Sequence, residues 1–298
     1  VVARQLINRV LVTGAGGRLG RHVLAVCAEA GIATRALAWA VDVTPTIEAD
    51  EVVIGDAGNP VLLSRAVVDV DAVVHLAAIP SPAGGTAEEV FTGNTAATFA
   101  VLEQAALAGV RRAVIASSHA ATGMPFAPSV RQPAYLPIDE YIPLQVEDPY
   151  ALSKQVDELT AAMMWWRHHL SVVAVRFPFL GDVDDRLPKR AAQFAADPAA
   201  GAAELWGYLD YRDAAQVCVA ALTPARPGCH VVAVAAPTTL APYPTEQLLD
   251  AFLPHVPRRT RFEGQAAPFD VTRARELFGF EARHIWQVGM RDLDEVLA

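Results

Sequence analysis

Short apolar runs alternate with longer mixed stretches through the first half of the chain. Residues 10–13, 34–37, 51–54, 72–76, 113–117 and 172–175 are rich in Val, Ile, Leu and Ala, the pattern of strands buried on both faces. The stretches between them are long enough for helices, as in residues 21–30. Strands spaced by helices predict an α/β fold with a doubly wound parallel sheet. After Arg176 the rhythm breaks into pieces punctuated by Pro178, Gly181, Pro188, Pro198 and Gly201. Such late pieces form a small lobe over the carboxyl ends of the strands, where ligands bind. The run 230–234 reads as a strand returning to the sheet. The expected division is therefore residues 1–176 for the sheet domain, with 210–235 returning to it, and 177–298 mainly for the C-terminal lobe.

Two motifs sit on these elements. Gly14-Ala-Gly-Gly17-Arg18-Leu19-Gly20 follows the first strand and opens the first helix. This is the context a dinucleotide fingerprint requires. Gly14 allows the tight turn, Gly17 lets backbone approach a pyrophosphate, and Gly20 lets helix and strand pack closely. The helix N-terminus then offers unpaired N–H groups and its positive dipole end to the phosphates. The second motif is Tyr150-Ala-Leu-Ser-Lys154, which holds one of only two lysines in the chain. On a helix, i and i+4 share a face, so the ammonium lies near the phenol and favours its ionised form. A phenol so tuned gives or takes a proton near neutral pH, as interconversion of an alcohol and a ketone demands.

Composition narrows the classes. A hydrophobic content of 53% in 298 residues supplies a sizeable core, and a net charge of −9 argues against nucleic acid or anionic membrane as main partners. Cys27, Cys218 and Cys229 form no CxxC pair, so neither a disulfide framework nor a zinc site is indicated. The eight histidines include no HExxH, and no metal site is expected. Without a signal peptide or a run of roughly 18 apolar residues, the chain reads as soluble and cytoplasmic.

The GxxGxxG spacing with a downstream YxxxK resembles the extended short-chain dehydrogenases/reductases, the NAD-dependent epimerase/dehydratase family, along nearly the whole chain. The resemblance implies a Rossmann fold binding NAD(P)(H). It assigns cofactor contacts to Gly14, Gly17, Arg18, Leu19 and Gly20, to Trp39 after the second strand, and to Asp56 and Ala57 after the third. Leu76, Ala77 and Ala78 match the end of the fourth strand, and Asn94 the following helix, where Ala97 replaces the usual glycine. Ser117, Tyr150, Lys154, Phe177 and Phe179 complete the implied cofactor set. The implied catalytic triad is Ser118, Tyr150 and Lys154, with Asn94 supporting Lys154 through a water. Alone, Ser118 would read as a helix cap or a buried hydroxyl. His119, Tyr208 and Arg212 are candidates to face substrate. The family's dimer implies pairing through the helices that follow Asn94 and Tyr150, with Trp165 and Trp166 in core or dimer packing.

Departures from the family pattern sharpen these expectations. The acid that NAD-selective members place at the end of the second strand is Ala38 here, so NADP is slightly favoured over NAD. Phe179 stands near the place of an asparagine that contacts nucleotide-sugars in epimerases. Ser118 is followed by His119-Ala120 rather than the Asp-Glu pair of sugar dehydratases. The segment 118–123 is instead similar to the Ser-Asn-His segment of uronate dehydrogenases, with the histidine displaced by one. The leading expectation is an oxidoreductase moving hydride between a nicotinamide and a carbinol or carbonyl carbon of a small polar, sugar-like molecule. A sugar epimerase using the same triad and a non-catalytic dinucleotide-binding protein are the alternatives.

Overall fold

Seven parallel strands form one sheet among the residues described by the computed structural model, which are 7–40, 46–287 and 289–297. They are β1 (Arg9–Thr13), β2 (Ala33–Ala38), β3 (Glu51–Ile54), β4 (Ala72–His75), β5 (Arg112–Ser118), β6 (Ser171–Phe177) and β9 (Cys229–Ala233), in the order β3-β2-β1-β4-β5-β6-β9. The helices are α1 (Arg18–Glu29), α2 (Pro60–Ala66), α3 (Ala87–Leu107), α4 (Pro149–His168), α5 (Arg186–Ala196), α6 (Tyr211–Ala220), α7 (Thr245–Phe252), α8 (Thr272–Phe278) and the short α9 (Asp294–Leu297). A separate pair, β7 (Phe179–Gly181) with β8 (Tyr208–Asp210), lies in the lobe.

Side chains alternate across each strand, so β1 sends Val10 and Val12 to one face and Leu11 to the other. The first face is covered by α1, α6 and α8, through Val23, Leu24, Ala214 and Ala274. The second is covered by α2, α3 and α4, through Leu63, Val101 and Ala161. This is why the first six strands read as nearly unbroken apolar runs: most have no solvent face. Edge strand β3 is the exception, with Val52 and Ile54 half exposed. Because β1 and β4 are neighbours while β2 and β3 extend to one side, a crevice opens outside their carboxyl ends.

The lobe has its own core of Phe194, Trp206, Tyr208, Tyr243, Leu248 and Phe262. Leu136, Ile138 and Ile142, from the segment between β5 and α4, pack into that core. Backbone bonds from Leu136 N to Pro257 O and from Ile138 N to Pro268 O hold this segment there. Chain from well before residue 176 thus builds the lobe, while β9, α6 and α8 build the sheet layer.

Candidate active site

The glycine loop leaves β1 at Gly14, whose φ is +66°. A Cβ there would lie 2.7 Å from Ala77 N, and one at Gly20 would lie 2.3 Å from Gly14 O. Both glycines are required by backbone contacts within the protein. The close packing at Gly20 is against the loop itself. At Gly17 an added Cβ would press on one backbone atom, Gly14 O at 3.2 Å, and meet nothing else within 4 Å. Gly17 caps α1 without a side chain, and the first turn carries no acid. The N–H groups of Arg18, Leu19 and Gly20 therefore have no carbonyl behind them in the helix and no side-chain cap. That cradle fits a pyrophosphate.

Helix α4 is started by Asp148, whose side chain accepts the Ala151 N–H at 2.8 Å, and by Pro149 in the first turn. This places Tyr150 at the mouth of the helix and Lys154 one turn below it. The Lys154 Nζ lies 5.8 Å from the Tyr150 ring centroid, and Phe126 closes on the ring edge-on at 5.7 Å. Nζ donates to Ala116 O at 3.0 Å and to Asp157 Oδ2 at 3.1 Å. Burial opposes the lysine's charge, but Asp157 and Tyr150 outweigh it and hold its pKa above the ordinary value. Burial likewise pushes the Asp157 carboxyl up, against the pull of Lys154.

Two buried polar groups flank the pair. On the α3 side, the Thr13 hydroxyl accepts from Leu76 N and Ala77 N and donates to His75 Nδ1 at 2.7 Å. That pattern assigns the His75 proton to Nε2, which points at Thr98 Oγ1 at 3.2 Å. Burial, with the Lys154 charge nearby, pushes His75 down to about 3, so the ring is neutral. On the β6 side, Arg176 holds Glu158 by two bonds of 2.8 Å, and Ser117 Oγ donates to the same carboxylate at 2.6 Å.

Ser118 ends β5 and accepts the Ala120 N–H at 3.0 Å, capping the short 3-10 turn His119–Thr122. Its own proton remains available to the cleft it lines. His119 is buried, edge-on to Phe269 at 5.1 Å, and its Nε2 has no partner among the described residues. Burial and the Arg176 charge push it down to about 3.

Ser118, His119, Tyr150 and Lys154 line one cleft of about 660 Å³ together with Gly14, Gly17, Arg18, Leu19 and Gly20. Leu76, Ala78, Ser117, Phe177 and Phe179 share that lining. Sequence reasoning missed the lobe wall. Arg186 and Arg190 stack on Phe179, with guanidinium carbons 4.6 and 5.0 Å from the ring centroid. Arg186 donates to the Tyr211 hydroxyl at 2.6 Å, and Tyr211 stacks on His22 of α1 at 5.6 Å. Arg190 pairs with Glu204. The only advance signal was the recurrence of arginine at i and i+4 on one amphipathic helix.

Other expected residues lie outside the lining. Tyr208, expected to face substrate, is fully buried in the lobe core, where its hydroxyl accepts the Trp286 N–H at 2.8 Å. Arg212, with the same expectation, is turned onto Asp210 through two bonds of 2.8 Å. Asn94 accepts from Ile79 N at 2.7 Å and donates to Ile79 O and Ser153 Oγ, which commits both ends of its amide. It fixes the chain after β4 and makes no direct hydrogen bond to Lys154. Ala77 stays behind Gly14. Trp39, 55% exposed, and Asp56 and Ala57 stand at the ends of β2 and β3, beyond the described cleft wall. Among the described residues no three His, Cys, Asp or Glu side chains group as a metal site, and no helix is long and apolar enough to cross a membrane.

A doubly wound sheet with a glycine cradle and a Tyr–Lys helix at its switch point defines a nicotinamide-dependent class of protein. Residues 10–235 match the model of the NAD dependent epimerase/dehydratase family, and the chain belongs to that family. It is 32% identical over 177 residues to a UDP-glucose 4-epimerase of Azospirillum brasilense, covering 57% of this chain and 48% of that protein. It is 31% identical over 187 residues to an L-arabinose 1-dehydrogenase (NAD(P)(+)) of Haloferax volcanii, covering 59% and 69%. The chain thus spans about half the length of the epimerase it matches. Among solved structures, a short-chain dehydrogenase/reductase superfamily protein from Agrobacterium tumefaciens with bound NAD aligns with a TM-score of 0.68. That alignment has 26% identity and covers 93% of each chain.

Proposed function

We propose that this protein is an NAD(P)-dependent oxidoreductase acting on a hydroxyl or carbonyl carbon of a small, sugar-like substrate. The observation that carries this reading is the shared cleft: Ser118, Tyr150 and Lys154 line the same space as the free N-terminus of α1. The dinucleotide, when bound, supplies the hydride acceptor or donor. Tyr150 exchanges the proton with the substrate oxygen, and Ser118 donates to that oxygen with the one hydrogen its capping role leaves over. Lys154 presents a buried positive charge beside the phenol and would hold the nicotinamide ribose of a bound dinucleotide. Phe126, packed on Tyr150, and Phe179 exclude water from the reacting atoms. The Arg186 guanidinium on the lobe wall favours a substrate with an anionic or strongly polar group.

Cofactor choice follows from the end of β2. Ala38 stands where NAD-selective relatives of this fold carry an acid, so that position has no carboxylate to repel a 2′-phosphate, and Arg18 is the cation of the glycine loop that lines the cleft. NADP is favoured on that ground. An epimerase is the second reading, favoured by the match to the Azospirillum brasilense protein; it uses the same three residues and returns the hydride to the opposite face of the substrate. Exposed Phe99 and Leu107 on α3 and Leu159 and Trp166 on α4 support a homodimer through these two helices. Sedimentation of the purified protein tests it.

The first test is titration with NADH and NADPH, following energy transfer from tryptophan to the reduced nicotinamide. A sugar and sugar-acid screen with the tighter cofactor follows, with net cofactor consumption separating dehydrogenase from epimerase. Tyr150→Phe is expected to lower turnover by about 10²–10⁴-fold and to keep dinucleotide affinity within a few-fold. Unchanged turnover sinks the proton-transfer role. Absence of binding by the folded wild type sinks the reading as a whole.

A further inference from the structure

The carboxylate of Asp157 has no role in the scheme above, yet it is 1% exposed and sits 3.1 Å from the one lysine of the cleft. Burial of a carboxylate is costly unless a charge answers it. Its Oδ1 has no hydrogen-bond partner among the described residues, and the charge of Lys154 is the largest influence favouring the ionised carboxylate, with the Thr98 hydroxyl second. The groups facing Lys154 can be taken element by element. On α4 they are Tyr150, Asp157, Glu158 and, at the helix start, Asp148. On α3 they are Thr98 and Asn94, and on β4 His75. On β5 and β6 they are Ser117 and Arg176. His75 is neutral. Glu158 is neutralised by the two bonds of Arg176 and the one of Ser117. Asp148 spends one oxygen on the α4 cap, its other has no partner among the described residues, and it makes no bond to Lys154. Asn94 is committed to Ile79 and Ser153. Asp157 is therefore the one negative charge whose partner is Lys154 itself.

Resting on the hydride-transfer reading above, we propose that Asp157 is a positioning residue that anchors Lys154 in the helix face and weakens its field at the Tyr150 phenol. Two of the three ammonium hydrogens are fixed, by Ala116 O and Asp157, which aims the third at the cleft. The same carboxylate cancels part of the positive charge that favours the phenolate. It thus offsets part of the ammonium's pull and favours the protonated phenol. That is the state needed to protonate a carbonyl oxygen, so the arrangement biases the site toward carbonyl reduction.

The test is a spectroscopic titration of tyrosinate absorbance in the full-length protein, with and without saturating NAD. Subtracting Tyr150→Phe isolates the Tyr150 step. In Asp157→Asn that step is expected to move down by about one pH unit, the effect of one unit charge within ~10 Å at an effective dielectric near 20. Asp157→Glu is expected to return it toward the wild-type position. If Asp157→Asn fails to fold, Asp157→Ser, another neutral replacement, carries the same expectation. A Tyr150 step that stays put or moves up in the neutral variant overturns the inference. The phenol titrates whether or not turnover is found, so failure of the hydride-transfer reading, seen as no dinucleotide binding and no substrate, is distinguishable from failure here.

Discussion

Beneath the sheet the chain buries Lys154, Asp157, Glu158, Arg176 and His75, all 8% exposed or less; in the lobe it buries Phe194, Trp206, Tyr208, Tyr243 and Leu249 at zero. The lobe answers buried polar side chains of its core with its own backbone carbonyls. Trp206 Nε1 donates to Pro198 O at 2.7 Å, and the Tyr243 hydroxyl to Ala195 O at 2.6 Å. The sheet half pairs charge with charge across elements, as Arg176 on β6 does with Glu158 on α4. Such pairs add little net stability, because desolvation offsets attraction, but they fix position. The difference teaches where the molecule spends stability for placement: next to Tyr150 and Ser118, where the chemistry requires fixed distances. The lobe is held by shape, which suits a wall whose task is to fit a ligand.

The largest expected effect breaks the lobe side of this contrast. Trp206→Ala removes a fully buried ring and its bond to Pro198, and is expected to cost about 3–5 kcal/mol. Thermal melting checks the loss. Below the lowered melting point, NADH affinity is expected to survive, because the glycine cradle shares no contact with this ring. The matching break in the sheet half is Glu158→Gln. It leaves Arg176 facing a neutral amide in a buried site, with an expected loss of about 3 kcal/mol. Here dinucleotide affinity is expected to fall as well, since Ser117 and Arg176 lose their anchor beside the cleft. If the two variants were alike in affinity, the division of labour between the cores would be wrong.

A pH scan sharpens the same point at smaller scale. His75 and His119 are both held near 3 against an ordinary 6.5, by burial first and then by Lys154 and Arg176 respectively. The unfolded chain therefore takes up protons before the folded one as pH falls. The stability these neutral rings contribute is present above about 6.5 and is lost progressively toward about 3. On the order of 2 kcal/mol per ring is expected to be gone by about pH 5. Melting temperatures at neutral and mildly acid pH measure the fall, and His119→Gln is expected to flatten part of it. The lobe core holds no such group, so Trp206→Ala is expected to leave the pH slope unchanged.

How much was legible in the sequence follows the reach of each interaction. The glycine cradle and the Tyr150–Lys154 pair are fixed by neighbours within one or two turns, and their spacing alone announces them. The parallel sheet was legible because burial on both faces leaves unbroken apolar runs. Asp157 was within reach of the same reading, being three residues from Lys154 on a buried face, but an acid in a helix usually reads as solvated. Arg186, Arg190 and Tyr211 depend on the lobe meeting α1 and Phe179, contacts that no local period encodes. Tyr208 and Tyr211 illustrate the limit. Strand β8 ends at Asp210, which caps α6, and the change from a period of two to 3.6 decides which tyrosine reaches the cleft.

Arg212 gives the smallest and most discriminating test of that limit. Its guanidinium is 44% exposed and spans Asp210, whose carboxylate also accepts the Arg212 N–H and caps α6. The cap is a backbone bond and survives removal of the side chain. Asp210 is buried, at 1% exposure, but the Arg212 N–H still answers its carboxylate, so losing the guanidinium is expected to cost about 2 kcal/mol. Arg212→Gln is therefore expected to lower the melting point and to leave dinucleotide affinity, turnover and substrate KM unchanged. Arg186→Gln, which empties the lobe wall of a cation stacked on Phe179, is expected instead to raise KM for an anionic substrate while sparing the fold. A substrate effect from Arg212 with none from Arg186 would mean that the cleft wall lies on β8 and the start of α6, and that Tyr208 leaves the core when ligand binds.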